Sequence, residues 1–455
     1  MLLYNTNRYM RKATGVFKPF NLIKQMSIVR YITPLLVSTA LLASQYATAQ
    51  RVLTLEEARK LAVTRNNNLR AAQEKIGAAR AQKAIAAAKD KPTVDASVTG
   101  FYFGTPLNKL LPEYGVSPMV SASQAIYSGG KIKLGKEAAD KGIEIAETQK
   151  ALTTAEVVLS AESAYWQVVA AKEKIKLAEQ YSRQLDGLYR ELNNAYTAGL
   201  TYKNDLLQVK VQQNDNQLNV IRANDALVLT KLNLAQISGL GDSTDFVLPD
   251  TVLGDFNSAT LHRSIAEITA DRPEIKILQQ SLEAEKIQEK LLRADFKPTV
   301  GLNAAGLAGF GKQGINLGNP SSNAFASYYG LVQVSLPILD WGQRKQKIKQ
   351  QQHNISAQQY QLQETKEKIS LEVQQAYLLL NESAKRIELS GASLEQAEEN
   401  LRLSNDRLKA GTITGQDVLE AQTIWQQANS NIIDAKTAYR ISEANLYKTL
   451  GMTRF

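Results

Sequence analysis

The chain has 455 residues, 44% hydrophobic and 22% charged, enough for a large core or for two or three domains. Cysteine is absent, which excludes a disulfide framework, a thiolate zinc site, a cysteine nucleophile and a lipid-bearing N-terminal cysteine. The formal charge of +10 falls to +4 once the six cations of the first 49 residues are set aside, leaving 48 Lys and Arg against 44 Asp and Glu; this is no nucleic-acid footprint.

Residues 1–49 read as a signal peptide. Arg8, Arg11, Lys12, Lys18, Lys24 and Arg30 form a basic leader, and the apolar run Tyr31 to Ala43 follows. Ala47-Thr48-Ala49 then gives the small-x-small pattern of a signal-peptidase site, so Gln50 is the expected first mature residue. A start at Met26 would give a leader of ordinary length. The apolar run is too short to anchor the chain in a bilayer.

The rest is a duplication. Gly130 aligns with Gly342, Gly199 with Gly411, Asp205 with Asp417, Asn233-Leu234 with Asn445-Leu446 and Gly239 with Gly451, all 212 apart. Lys91-Pro92-Thr93-Val94 recurs 206 residues on, as Lys297-Pro298-Thr299-Val300. The first repeat is expected over 50–245 and the second over 261–455, with an equatorial linker at 241–260.

Each repeat reads helix, two strands, long helix, break, helix. Thr54-Leu55-Glu56-Glu57 is a capping box that opens the first helix. A break follows at Asn66-Asn67-Asn68, matched by Arg272-Pro273; helix resumes to about Asp90 and Asp295, and Pro92 and Pro298 end it. The period then changes from 3.6 to 2, with Val94, Ala96 and Val98 alternating with Asp95, Ser97 and Thr99. Strands are expected at about 93–103, 117–127, 299–310 and 324–338. Ten-residue alternating strands with long turn-rich segments on one side are the pattern of an outer-membrane barrel, and a soluble hairpin is the plainer alternative for either pair alone.

The first long helix is expected over 130–196. Ala164, Ala171, Ala178, Leu185 and Leu192 recur every seven residues, with Ala161, Val168 and Ile175 interleaved, giving a coiled-coil seam. At 1.5 Å per residue such a helix reaches roughly 100 Å. A tip at 197–203 and a helix over 203–238 follow. In the second repeat the long helix is expected at 342–408, the tip at 409–415 and the last helix at 415–450. The two shorter helices of a repeat would pair end to end along its long one, so tips lie at one end of a rod and strands at the other.

The ordered set resembles the TolC family of outer-membrane efflux proteins over about Leu53 to Met452. The stretches that carry the resemblance are "LTLEEARKLAVTRNNNL", the junctions "IYSGGK" and "PILDWGQRK", and the tips "YTAGLTYKNDLLQ" and "LKAGTITGQDVLEAQ". The implied fold is mainly α with a β-barrel part: long coiled-coil hairpins form a periplasmic tunnel, and four strands per chain close a 12-stranded barrel as a trimer. Four strands cannot close a membrane barrel alone, so oligomerisation follows from the strand count, and the number three from the resemblance. The implied partners are a periplasmic adaptor, an inner-membrane pump and outer-membrane lipid. The tip turns Ala198-Gly199-Leu200 and Ala410-Gly411-Thr412 would dock the adaptor. Asp417 and Glu420, three apart on one helix face, would line the closed constriction, with Asp205 at the matching place in the first tip. Gln208 replaces the acid matching Glu420. Ile413 stands where some members carry a basic latch, so Tyr196, Arg407 or Lys409 would have to contribute.

The expected function is a passive exit duct in the outer membrane, gated at the tips. The alternatives are a conduit for type I protein secretion and, in a different class, a periplasmic coiled-coil adaptor. No enzyme, cofactor or metal site is expected. The GxxxxGK match from Gly306 to Lys312 is followed by Gln313 and lies on a strand, so it is no phosphate-binding loop. His262 and His353 read as surface or packing residues. The aromatic C-terminal residue Phe455 follows a helix, so it is no barrel-strand signature. Trp341 and the tyrosine-rich strand ends are expected at a membrane interface, and Trp166 and Trp425 in helix packing.

Overall fold

The computed structural model describes residues 51–107, 113–251, 263–311 and 324–452. The expected leader, residues 252–260 of the linker, the cores of both turn-rich segments, Lys312, Gln313, His262 and Phe455 lie outside the described residues. The first repeat contains α1 (Leu55–Arg65), α2 (Asn67–Ala88), β1 (Thr93–Tyr102), β2 (Tyr114–Tyr127), α3 (Lys131–Thr197) and α4 (Lys203–Ile237). The second contains α5 (Ile265–Asp271), α6 (Pro273–Ala294), β3 (Thr299–Gly311), β4 (Ala324–Ser335), α7 (Gln343–Lys409) and α8 (Gly415–Thr449). The long helices α3 and α7 each have 67 residues, α4 and α8 each have 35, and α2 and α6 each have 22. Among the described residues no helix is long and apolar enough to cross a membrane.

α2 and α4 pack along α3, and α6 and α8 along α7. Where the shorter helices meet, one residue of each repeat ties them together. The Asn66 side chain accepts from the N–H of Asn68 at 2.8 Å, capping α2, and its amide donates to the carbonyl of Ile237 at the end of α4, at 2.9 Å. Arg272 stands in the matching place of the second repeat and donates to the carbonyl of Thr449, at the end of α8, at 2.8 Å. Each closes a helix terminus whose last carbonyls lack intrahelical partners. The break is therefore narrower than expected: Asn66 alone leaves the helix, and Asn67 and Asn68 are already helical.

The repeats differ in depth. α3 packs against α1, α2, α4, α6 and α8, and carries 18 buried residues against 7 on α7. Its heptad residues Ala164, Ala171, Ala178, Leu185 and Leu192 are buried, as are Ala161 and Val168, while Ile175 is half-buried. α7 packs on α6 and α8 and leaves another side open, with Tyr360, Leu378 and Leu389 exposed. The start of the linker is strapped across the first repeat. Phe246 and Leu248 are buried with Tyr165 and Leu234, Lys172 donates to the Leu248 carbonyl at 3.0 Å, and the Tyr165 hydroxyl donates to Asp250.

β1 to β4 form one antiparallel sheet in sequence order, leaving β1 and β4 as open edges. β4 ends at Ser335 rather than near 338, because Pro337 has no N–H to give the ladder and restricts the residue before it.

Candidate functional site

The tips are built alike. α3 ends at Thr197; Gly199 takes φ of 74°, its N–H donates to the Tyr196 carbonyl at 2.9 Å, and the N–H of Leu200 donates to Ala195 at 2.8 Å. α7 ends at Lys409; Gly411 takes φ of 70°, its N–H donates to Leu408 at 2.9 Å, and that of Thr412 donates to Arg407 at 3.0 Å. Both are Schellman closures, which need a left-handed residue that only glycine supplies without a Cβ penalty. The six docking residues Ala198, Gly199, Leu200, Ala410, Gly411 and Thr412 are all exposed.

The tips differ in chemistry. Leu200 and Tyr202 of the first are 80% and 82% exposed, an apolar turn offered to solvent. The second is polar and tightly capped. Thr414 accepts from the N–H of Asp417, and one Asp417 oxygen accepts from both the N–H of Thr414, at 2.8 Å, and its hydroxyl, at 2.7 Å. These hydrogen bonds, the hydroxyl's first, hold the Asp417 carboxyl below the usual carboxylate range. Asp205 accepts from the Thr201 hydroxyl at 2.7 Å and is half-buried. Asp417 and Glu420 are exposed on the first turns of α8.

The structure brings the two tips together through their apolar neighbours rather than through the acids. Leu192, Leu206, Val209 and Val418 share one buried cluster, and Ile413 packs against it. Ile413 is thus a packing residue at the junction of the hairpins, while Tyr196, Arg407 and Lys409 are exposed. The reading of the sequence missed Gly415. A Cβ there would lie 2.6 Å from a Leu192 methyl, so α8 begins against the last turns of α3 because its first residue has no side chain. The Thr-x-x-Asp spacing at 414–417 was the legible signal for the cap.

The sheet at the other end has two unlike faces. The register sets Val94 opposite Ala122, Val98 opposite Pro118 and Tyr102 opposite Tyr114. The same face continues through Val116 and Phe310 to Leu302, Val332 and Val334. Val94, Val98, Tyr102, Tyr114, Val332 and Val334 are all exposed. A register shift between Ala125 and Tyr127 brings Tyr127 opposite Val300, on this apolar face. The opposite face is mainly polar, with Asp95, Ser97 and Thr99, Ser117, Ser121 and Ser123, Asn303, and Gln333 and Ser335, and Phe101, Met119, Leu307, Tyr329 and Leu331 set among them. Strands of 10–14 residues with one apolar and one mainly polar face, and aromatics toward their ends, have the length and alternation of barrel strands in lipid. Among the described residues no group of His, Cys, Asp and Glu could hold a metal ion.

A family model described as "Outer membrane efflux protein" matches residues 58–240 and 265–452, the two structural repeats in turn. The chain is 22% identical over 405 residues to a probable efflux pump outer membrane protein, TtgC of Pseudomonas putida, covering 87% of this chain and 82% of that one. It is 23% identical over 305 residues to the alkaline protease secretion protein AprF of Pseudomonas aeruginosa, covering 64% of this chain and 60% of the relative, less than two thirds of its length. Among solved structures, the outer membrane channel CmeC of Campylobacter jejuni superposes with a TM-score of 0.71 at 21% identity, over 87% of this chain and 85% of that one.

Proposed function

The chain belongs to the outer membrane efflux protein family, the TolC family, and on that premise we propose that it is the exit duct of a tripartite export system. It is an outer-membrane protein of a channel family, not an enzyme. In the proposed assembly three copies join edge to edge, β4 of one chain to β1 of the next, and twelve strands close one barrel. The helices form a periplasmic tunnel below it. The duct is passive: an inner-membrane pump supplies energy and small-molecule cargo, and a periplasmic adaptor docks on Ala198–Leu200 and Ala410–Thr412.

The observation that carries this reading is the two-faced sheet with two open edges. Unpaired edge groups cannot face hydrocarbon, so a lone copy cannot span a bilayer, and among the described residues nothing covers its apolar face. Native mass of protein extracted in detergent from an outer-membrane fraction tests it. Three mature chains are expected; a soluble monomer would overturn it.

Asp417 and Glu420 form the proposed gate, as two rings of three carboxylates, with Asp205 above or beside them in the first hairpin. Such rings favour cations. Asp417→Asn with Glu420→Gln should lower the cation preference of the closed pore in a planar bilayer by roughly tenfold at low salt. Unchanged selectivity would remove these acids from the gate.

Similarity to a protease secretion protein favours a second reading, a conduit for type I protein secretion. Deleting the gene and assaying the medium for a lost protein, against cells for accumulated small molecules, separates the two.

A further inference from the structure

We propose that a basic collar where the helices meet the sheet, centred on Lys345, Lys347 and Lys349 beside Trp341, binds the anionic headgroups of phospholipids in the membrane leaflet that faces the periplasm. This rests on the reading of the sheet as a membrane barrel.

The first observation is how charge is distributed. The segments that flank the strands on the helical side are 83–92, 128–137, 289–298 and 336–349. Together they hold 13 Lys and Arg against 5 Asp and Glu. The remainder of 50–455 holds 35 against 39, so the basic excess of this part of the chain lies wholly in that collar.

The second observation is where the free cations stand. α7 opens with Arg344, Lys345, Lys347 and Lys349 and has no acid in its first turn. Arg344 and Lys345, in the first turn, oppose the helix dipole, so they cost stability unless an anion answers them. Arg344 is answered: it pairs with Asp340 at 2.6 Å and lies over the Phe296 ring. Arg293 pairs with Glu289 at 2.7 Å. In the first repeat Lys131 pairs with Asp295 and Lys136 with Asp90. Among the described residues Lys345, Lys347 and Lys349 have no such partner, and all three are exposed. Lys345 and Lys349 line an open cleft of about 710 Å³ with Arg293, Phe296, Ile348 and Gln352.

The third observation is the apolar rim. Ile338 and Trp341 are each 91% exposed and Leu339 is 69% exposed, directly between β4 and the lysines. Leu336 and Ile338 carry on the two-residue alternation that puts Val332 and Val334 on the apolar face. The order along the chain is thus apolar strand, apolar and aromatic rim, cations. That is the order of acyl chain, interface and phosphate in a leaflet. In the proposed edge-to-edge ring α7 would meet α2 of the next copy, whose sheet end carries Lys83, Lys89 and Lys91 and whose Asp90 is held by Lys136, so that end of α2 would offer the lysines no free acid.

Trp341 makes the test specific, because Trp166 and Trp425, the other two tryptophans, sit in or against buried helical clusters. The full detergent-extracted protein is reconstituted into vesicles in which brominated phosphatidylethanolamine is progressively replaced by brominated phosphatidylglycerol, and tryptophan quenching is recorded. The expected result is a preference for the anionic lipid of roughly five-fold per lysine engaged, weakening with salt. K345Q/K347Q/K349Q should abolish the preference and keep quenching by the zwitterionic lipid; W341F should abolish the quenching. Equal preference in wild type and triple variant would overturn the collar while leaving the barrel standing. No quenching by either lipid would sink the barrel reading and the collar with it. A triple variant that loses its native assembly mass would assign the lysines to contacts between copies and overturn the proposal.

Discussion

Arg272 and Asn66 do the same work with different chemistry, and the difference sets what each substitution costs. The Arg272 guanidinium is 3% exposed and meets Glu274 at 2.7 Å and Glu372 at 3.0 Å, besides the Thr449 carbonyl. Removing one member of a buried, hydrogen-bonded charge cluster strands the others. Arg272→Met should therefore destabilise the fold by about 3 kcal/mol, and thermal melting in detergent measures it. Asn66→Ala loses a helix cap and one hydrogen bond, about 2 kcal/mol in all. Burial by itself would push the Glu274 carboxyl up, but the hydrogen bonds and charge of Arg272 outweigh it and hold the group below its ordinary 4.5. A lowered folded value means stability that is fully present above 4.5 and is lost as pH falls through the folded value. Melting temperature should thus drop below that pH in the wild type, and drop less in Arg272→Met. At Asn66 the sequence was read only as a break, although an asparagine before a helical run is also a start signal. Arg272 was legible only as a break before proline, because Glu372 and Thr449 lie 100 and 177 residues away in sequence.

Among the elements, the tips show how a hairpin can be fixed in shape and still differ in surface. Two Schellman turns of the same geometry present Leu200 and Tyr202 in one case and Thr412 and Thr414 in the other. Gly411→Val forces a β-branched residue into the left-handed region and should cost about 1–2 kcal/mol, read as a lower melting temperature and as loss of protection at the tip in hydrogen exchange. Thr414→Val removes the hydroxyl that lowers the Asp417 carboxyl. In the wild type Asp417 stays charged down to below its ordinary value of 3.8, so pore selectivity that depends on it should persist to that pH; in Thr414→Val the loss should set in at higher pH. Titrating the selectivity in both proteins checks the shift. The glycine landmarks made both tips visible in sequence. Gly415 was not visible, because its constraint is the methyl of Leu192 on another helix.

At the scale of the whole molecule the repeat was plain from landmarks at one fixed spacing, but the inequality of its copies was not. α3 and α7 have the same length, yet α3 is surrounded by helices of both repeats and α7 is not. Burial on that scale depends on which copy lies between neighbours, a property of assembly that no local pattern encodes. The absence of cysteine gives a clean test of the ring. One cysteine placed in β1 and one in β4 should cross-link chains to each other into covalent dimers and trimers, and the pair placed in β2 and β3 should not. The open edges of β1 and β4 also bear on how the protein reaches its membrane. A single copy that entered lipid would strand two rows of backbone groups, so its insertion is blocked by an energetic barrier that only another copy removes. If copies share one barrel as proposed, they must meet before or during insertion. The rate at which inserted protein accumulates should then climb more steeply than in proportion to the amount synthesised, and a modest fall in expression should empty the membrane of channels out of proportion to the chains lost.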